Sequence, residues 1–518
     1  MPYPHGVDSP GFAPKHSVKM PSLKTLLTAT FLATGGFLFG YDSGIVTSTI
    51  GQPEFIEYFS NPSDTVTGGV VSAFQGGAIL GTIINIFTGD RLGRKYSVFA
   101  GAAVSCFGCA LQAGAVNMVM LIIGRFIAGV AVGMLTSVIP MYAGEIAESS
   151  SRGMMSGLLQ WMLSWGYFVA QWLGYGCSFN NTAFQCEYTV QICPFIFHEC
   201  PLTSKGRFPL AFQCVPGIAL MSGILFLNES PRWLMEKDRH EEALTVLKSL
   251  HGDGTPEKEQ YIELEFQEIR EAIQAERAQT KISYTSILRK PSWRRRLLLG
   301  CAVQAFGPLS GINVINYYGT RIYGQLGFDT QTTLMIIGIS GAFSIVWATL
   351  GLWALERVGR VKPLIISAAG MAAALVCNAA MSQHWDQDNN NQLRAMVAMN
   401  FVFSFFYTFV GIISWVYPAE IFPVDIRNQG NSITTFTNWT FNLVFAQFSP
   451  NALSSIGFRY FYVFFAFNVV AMLCYIFFFP ETRGKTLEQM DILFGDATPL
   501  AVNEKEVETV MVEDTTKQ

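Results

Sequence analysis

The chain is poor in charge: 14% of its 518 residues are Asp, Glu, Lys or Arg, while 50% are hydrophobic and 14% aromatic. Soluble domains carry about 25% charged residues, so a water-soluble globule is excluded and lipid is the expected solvent. A nucleotide-binding signature is lacking. Gly484-Lys485-Thr486 resembles the end of a phosphate-cradling loop, but that loop needs a glycine five residues before Gly484, and Phe479 stands there. Transport driven by ATP is therefore not expected. No cleavable leader is expected either, because the first 20 residues are Pro-rich and polar and the first apolar run is too long for a leader's core. The net charge of −4 comes mostly from soluble ends, notably Glu504, Glu506, Glu508, Glu513 and Asp514, and implies no nucleic-acid partner.

What the chain has is apolar runs of about 20 residues, the length that crosses roughly 30 Å of hydrocarbon. They lie near 25–50, 67–88, 96–115, 118–143, 154–176 and 209–227, and again near 296–324, 331–355, 363–382, 394–418, 430–453 and 457–479. Twelve transmembrane helices in two six-helix halves are expected, an all-α membrane protein. Between the halves, 229–292 is dense in Glu, Lys and Arg, and Glu241 to Leu250 has apolar residues at helical spacing. The expected organisation is a cytoplasmic segment 1–24, a six-helix half 25–228, a small cytoplasmic helical domain 229–292, a second half 293–480 and a cytoplasmic tail 481–518. Orientation follows from basic residues in short loops: Arg91, Arg94, Lys95, Arg152, Arg357, Arg360, Lys362 and Arg427 share one side, whereas 51–66 holds Glu54, Glu57 and Asp64 with no Lys or Arg.

The halves repeat one another. Asp90-Arg91-Leu92-Gly93-Arg94-Lys95 returns as Glu356-Arg357-Val358-Gly359-Arg360-Val361-Lys362. Glu145 stands seven residues before Arg152 as Glu420 stands seven before Arg427, and Glu229-Ser230-Pro231-Arg232 is echoed by Glu481-Thr482-Arg483. Two parallel repeats in a membrane point to a transporter. Charge at a bilayer edge is costly, so the acids Asp90, Glu145, Glu229, Glu356, Glu420 and Glu481 are expected to pair with Arg94, Arg152, Arg232, Arg360 and Arg427 across the two halves as a cytoplasmic gate. The alternative is that the basic residues only enforce topology.

Asp42 is the one acid well inside a span. At 1.5 Å per residue it lies about 12 Å below the outer end of the first span, and Arg125 in the fourth lies at similar depth. Burial raises a carboxylate's pKa and a nearby arginine lowers it, so separating the two would let Asp42 carry a proton. A static ion pair is the alternative. Cys106 and Cys109 lie in an apolar span and read as small buried hydrophobes rather than metal ligands. Cys177, Cys186, Cys193 and Cys200 cluster in an outer loop where disulfides can form, beside Asn180-Asn181-Thr182, a glycosylation acceptor at Asn180.

The chain resembles a sugar porter of the major facilitator superfamily, and is most similar to fungal monosaccharide transporters. The resemblance covers about 25–490 and rests on Phe39-Gly40-Tyr41-Asp42, Gly89 to Lys95, Pro140-Met141-Tyr142-Ala143-Gly144-Glu145, Glu229-Ser230-Pro231-Arg232-Trp233, Ser310-Gly311-Ile312-Asn313 and Pro480-Glu481-Thr482-Arg483-Gly484. It implies import of a monosaccharide with a proton by alternating access. Asp42 occupies the position at which proton-coupled members differ from animal facilitators. Gln160, Asn313, Trp415, Asn438, Trp439 and Asn442 are implied as sugar ligands, with no cofactor beyond the coupling proton. Two departures stand out: Gly307-Pro308 replaces a Gln-Gln pair that helps recognise sugar hydroxyls, and the Cys-rich loop is longer than the family's. A passive facilitator, a polyol or cyclitol carrier and, less readily, a nutrient receptor are the rival readings. The unit is expected to function as a monomer in the plasma membrane, with both termini cytoplasmic.

Overall fold

The computed structural model describes residues 22–50, 53–148, 151–179, 207–252, 254–278, 286–325, 327–383, 390–485 and 487–495. The chain is helical among them, without a strand: α1 (Leu23–Leu32), α2 (Thr34–Ile50), α3 (Pro53–Tyr58), α4 (Asp64–Leu92), α5 (Arg94–Ala113), α6 (Met118–Glu145), α7 (Arg152–Phe179), α8 (Arg207–Phe212), α9 (Cys214–Gly223), α10 (Pro231–Glu236), α11 (His240–His251), α12 (Pro256–Ala278), α13 (Ser286–Arg289), α14 (Pro291–Leu309), α15 (Ile312–Tyr317), α16 (Gly319–Gln325), α17 (Thr330–Val358), α18 (Val361–Gln383), α19 (Asn390–Ile421), α20 (Val424–Ile456), α21 (Phe461–Phe478) and α22 (Leu487–Phe494). Asn180, Cys186, Cys193, Cys200, the side chain of Cys177 and the acidic tail lie outside the described residues.

Nine helical segments among the described residues are long and apolar enough to cross a bilayer. Helices α7 and α20 are also long, with 28 and 33 residues, but they bury polar side chains, including Gln160, Ser164 and Gln171 on α7 and Asn431, Asn438 and Asn442 on α20. The run at 209–227, read from sequence as one span, is broken into α8, α9 and a 3-10 turn. Proline has no N–H and its ring clashes with the carbonyl four residues back; for Pro216 that carbonyl belongs to Phe212, where α8 ends. The run at 296–324 is likewise divided, at Ser310 and Gly311, where Gly311 adopts φ of +97°. A Cβ on Gly311 would lie 2.7 Å from the Phe464 ring.

Helix α2 packs against α7 backbone to backbone. A Cβ on Gly40 would lie 2.0 Å from the Leu163 carbonyl oxygen, and one on Gly166 would lie 2.3 Å from that of Phe37. Any side chain at either position would force the helices apart, so these glycines set the depth of α2, which carries Phe39 and Asp42. The two halves meet where α4 and α6 pack on α20, and where α7 packs on α17 and α19.

The middle helices dock under the first half. Helix α11 buries Ala243, Val246, Leu247 and Leu250, the apolar face anticipated from sequence. Ser22 and Thr25 at the start of α1 donate to the Leu250 carbonyl at 2.7 and 3.1 Å, satisfying a group left open by the helix end. His251 is 2% exposed, with Nδ1 3.0 Å from Glu265 on α12 and Nε2 3.0 Å from the Ile146 carbonyl at the end of α6. Both partners are acceptors, so only the doubly protonated ring satisfies both. Burial opposes that charge, but the Glu265 hydrogen bond and charge outweigh it and raise the His251 pKa. Burial likewise opposes the Glu265 carboxylate, yet His251, with Arg232 and Arg152 nearby, holds its pKa below the ordinary value. Glu148 also faces His251, and is itself paired with Lys258 at 2.8 Å.

A raised histidine pKa contributes stability that is complete below its unfolded value, about 6.5, and is lost as pH rises through the folded value. The lowered Glu265 pKa contributes above about 4.3 and is lost as pH falls through its folded value. Amide-exchange protection of 240–278 is therefore expected to drop between pH 6 and pH 8. His251→Ala should be less protected at pH 6 and lose this pH dependence; an unchanged pH profile in the variant would remove His251 as the source.

Candidate functional site

Between the halves lies a cavity with about 850 Å³ of free space including its open mouth. One wall is α7, where Gln160, Ser164, Tyr167 and Gln171 recur at helical spacing; the opposite wall carries Pro308, Asn313, Trp415, Asn438 and Asn442. Five of the six side chains implied as ligands thus meet in one cavity. Trp439 does not: it is fully buried, packs edge-on behind Phe39 at 5.0 Å and donates to Thr136 at 3.4 Å. One residue after Asn438 on a helix, it is turned about 100° away, so it supports the wall. Tyr167, Gln171 and Tyr407 were not singled out from sequence, although the stripe 160, 164, 167, 171 is visible there.

Prolines organise the polar groups of the second half. Each leaves the carbonyl four residues back without its helical partner, and a side chain takes it. Pro418 frees the Ser414 carbonyl, which accepts from Gln304 Nε2 at 2.8 Å. Pro308 frees that of Gln304, which accepts from Asn438 Nδ2 at 3.1 Å. Pro450 frees that of Ala446, which accepts from the Tyr318 hydroxyl at 2.5 Å. Asn438 Nδ2 also donates to Gln304 Oε1 at 2.8 Å, and Asn442 Nδ2 donates to Asn438 O and Oδ1 at 3.1 and 2.7 Å. Asn313 Nδ2 donates to Asn442 Oδ1. Across the cavity, Trp415 Nε1 donates to Gln160 Oε1 at 3.1 Å. Gln304, 1% exposed, is the hub of this network and was missed from sequence.

Asp42 and Arg125 are buried together, Arg125 Nη1 lying 3.1 Å from Asp42 Oδ1. The same nitrogen donates to Asp42's own carbonyl at 3.1 Å, and neither carboxylate oxygen accepts a well-aligned hydrogen bond. The guanidinium also lies over the Phe74 ring at 4.7 Å. Burial makes this an expensive pair to separate, and one whose protonation state depends on separation. Phe39, one turn earlier on α2, lines the cavity.

At the end of the bundle near the middle helices, the sequence repeat becomes a structural one. In the first half Arg94 grips Glu145 with two nitrogens, both at 3.1 Å, and lies 3.4 Å from Asp90. In the second, Arg360 grips Glu420 at 2.6 and 3.2 Å and lies 3.4 Å from Glu356. Ser230 donates to Glu145 at 2.6 Å and Thr482 to Glu420 at 2.8 Å. Glu229 caps the N-terminus of α5 through Arg94 N and Lys95 N at 3.0 and 3.1 Å, and Glu481 caps α18 through Arg360 N and Val361 N at 2.9 and 3.0 Å. Carboxylates are favoured there by the helix dipole. Gly93 and Gly359 have φ of +85° and +98°, and a Cβ on either would lie 2.6 Å from the capping carboxylate. Arg152 and Arg427 donate to the Gly144 and Phe422 carbonyls at 3.1 and 3.2 Å. Arg232 is also buried, and burial pushes the Glu236 carboxyl up to about 7 against the pull of Arg94.

For Arg94 and Arg360 the pairing differs from the expected one: both close on acids of their own half. Uncharged donors also reach across the halves: Met154 N to Glu356 at 2.9 Å, Gln429 Nε2 to Asp90 at 2.9 Å, and Asn428 Nδ2 to the Asn85 carbonyl at 3.3 Å. Arg427 adds a longer-range attraction to Glu145. The forked pairs tie the helices within each half together at this end of the bundle.

A helical membrane bundle of two like halves around a polar cavity defines a transporter rather than an enzyme. The chain belongs to the sugar (and other) transporter family, whose model matches residues 28–494. It is 37% identical to the MFS-type transporter criB of Aspergillus cristatus, over 89% of this chain and 91% of that protein. It is 31% identical to a high-affinity glucose transporter of Kluyveromyces lactis, over 93% of this chain and 87% of that one. A solved major facilitator proton:xylose symporter, XylE bound to 6-bromo-6-deoxy-D-glucose, superimposes with a TM-score of 0.77 over 92% of this chain and all of that one, at 22% identity. The fold is that of the major facilitator superfamily.

Proposed function

We propose that this chain is a twelve-span carrier that imports a polyhydroxylated solute of monosaccharide size together with a proton, by alternating access, across the plasma membrane as a single chain with both termini cytoplasmic. Helices α7 and α20 and the broken segment at 207–226 supply the three spans beyond the nine most apolar. The middle helices and the paired-arginine clusters lie on the cytoplasmic side. The observation that carries the reading is the buried Asp42–Arg125 pair on the helix whose Phe39 forms the cavity wall. Movement of α2 at the substrate would be felt at the proton site one turn away. Amides fit vicinal hydroxyls, and the indole of Trp415 fits the apolar face of a ring. The relatives described as glucose transporters, and the xylose symporter of the same fold, agree with this class of solute.

The test is uptake by the purified protein in liposomes, with and without an inward proton gradient. Accumulation above equal concentrations with the gradient alone supports symport; mere equalisation in both conditions indicates a passive facilitator. Trp415→Ala is expected to weaken substrate affinity by tenfold or more, since a ring contact contributes about 0.5–1.5 kcal/mol beyond burial and Gln160 loses its anchor. Wild-type affinity in a folded variant would remove Trp415 from the site.

A further inference from the structure

The second half begins with a run of cations of which three have no protein counter-charge. Arg289 ends α13, and Lys290, Arg294, Arg295 and Arg296 follow at the start of α14. Arg296 is fully buried and used internally: Nη1 donates to the Ile421 carbonyl at 3.0 Å and Nη2 to that of Met490 on α22 at 3.4 Å. Arg289, Arg294 and Arg295 are exposed, and none of the three forms an ion pair among the described residues. Arg295 stands over the Phe494 ring at 5.8 Å and Lys290 over that of Trp293 at 4.5 Å. Such contacts orient a cation without neutralising it.

The helix fixes their depth. Arg294 and Leu298 are four residues apart and share one face of α14. Leu298 is 64% exposed on a span apolar enough to cross a bilayer, so that face meets lipid, and Arg294 lies about 6 Å nearer the span's end, where headgroups are. Topology does not require the cluster. Short loops at the same end already carry Arg91, Lys95, Arg357 and Lys362, and orientation is usually set by the first span, whose helix α1 has a single cation, Lys24.

We propose that Arg289, Arg294 and Arg295, with Lys290, form a docking site for anionic phospholipids of the cytoplasmic leaflet, whose phosphate groups supply the missing counter-charge. This rests on the reading of this end of the bundle as cytoplasmic. A guanidinium binds phosphate oxygens through two parallel N–H bonds, and each cation held close to an anionic surface adds about fivefold in affinity. The three arginines are spaced over seven residues at one span end, so one or two headgroups can engage them together.

The full-length protein, purified in detergent, is titrated with phosphatidylinositol 4-phosphate and with phosphatidylcholine, and bound lipid is counted by native mass spectrometry. The phosphoinositide is expected to bind about tenfold or more tighter, and the triple variant Arg289→Gln, Arg294→Gln, Arg295→Gln to lose most of that preference. The variant Arg91→Gln, Lys362→Gln, Lys485→Gln removes the same charge from other exposed positions at this end and is expected to keep the preference. Equal binding of the two lipids by the unaltered protein overturns the proposal, as does an equal loss in both variants, which would mean diffuse charge rather than a site. Displacement of the phosphoinositide by millimolar glycerol 3-phosphate would assign the site to free phosphates and overturn its assignment to lipid. Orientation is tested separately with Leu288→Cys, 60% exposed beside Arg289, in intact cells treated with a membrane-impermeant thiol reagent. Labelling no greater than that of the unaltered protein supports the cytoplasmic reading; labelling above it defeats that reading and the proposal with it.

Discussion

Asp42→Asn is expected to abolish accumulation of substrate against its gradient while sparing exchange between equal concentrations. Asparagine nearly matches aspartate in shape but cannot ionise, so the pathway survives and coupling does not. One inward proton driven by 100 mV contributes about 2.3 kcal/mol, and each pH unit about 1.4 kcal/mol more, together enough for accumulation of about a hundredfold or beyond. Without the proton the carrier can only equalise concentrations. Exchange in the same liposomes also reports that the variant is folded, which matters because Arg125 loses its partner charge. A variant that still concentrates substrate, with uptake still rising as outside pH falls, would leave the pair as structure alone.

The second large effect is expected at the paired-arginine clusters. Glu420→Gln leaves the guanidinium of Arg360, 2% exposed, without its closest carboxylate. Breaking one side of a buried pair costs about 3–5 kcal/mol, and Glu356 at 3.4 Å compensates only in part. Thermal unfolding of the purified protein should fall by several degrees. Glu145→Gln should fall similarly, since Arg94 is held by the same fork. Replacing both partners, as in Arg360→Met with Glu420→Leu, should destabilise less than Glu420→Gln, because no guanidinium is left buried without its fork and Glu356 keeps the Met154 N–H. Full stability in Glu420→Gln would mean that these pairs contribute nothing beyond topology.

The candidate site was legible in kind and only partly in detail. Asp42 and Arg125 stand out as charges within apolar runs, whereas Gln160, Asn313, Trp415, Asn438 and Asn442 were implied by the family resemblance. Trp439 was implied with them and lies behind Phe39 rather than on the cavity lining, since adjacent helical residues face different neighbours. Gln304 was passed over: one glutamine in an apolar run has no sequence partner to mark it, and its partners are Ser414 and Asn438, more than a hundred residues away. The break at Phe212 could be read from Pro216 once the carbonyl four residues back was considered, whereas the one at Gly311 turns on a glycine with positive φ, and the apolar runs around both masked the interruption.

By itself the sequence determined the class of protein, the duplication, the identity of the charged residues at the bundle's end and the presence of one acid within a span. Those follow from hydrophobic run lengths and from repeated motifs, both local properties of a chain. Tertiary structure alone decided the partners. Arg94 and Arg360 close on acids within their own halves because the helices bearing Glu145 and Glu420 pack beside them, and the fold brought Met154 N to Glu356 and Gln429 Nε2 to Asp90 from the opposite half. It also decided that Asn438 of α20 donates to the Gln304 carbonyl that Pro308 leaves free, with Asn442 donating in turn to Asn438. A hydrogen bond requires two groups about 3 Å apart in good alignment, and residues distant in sequence meet that condition only through the packing of the helices that carry them.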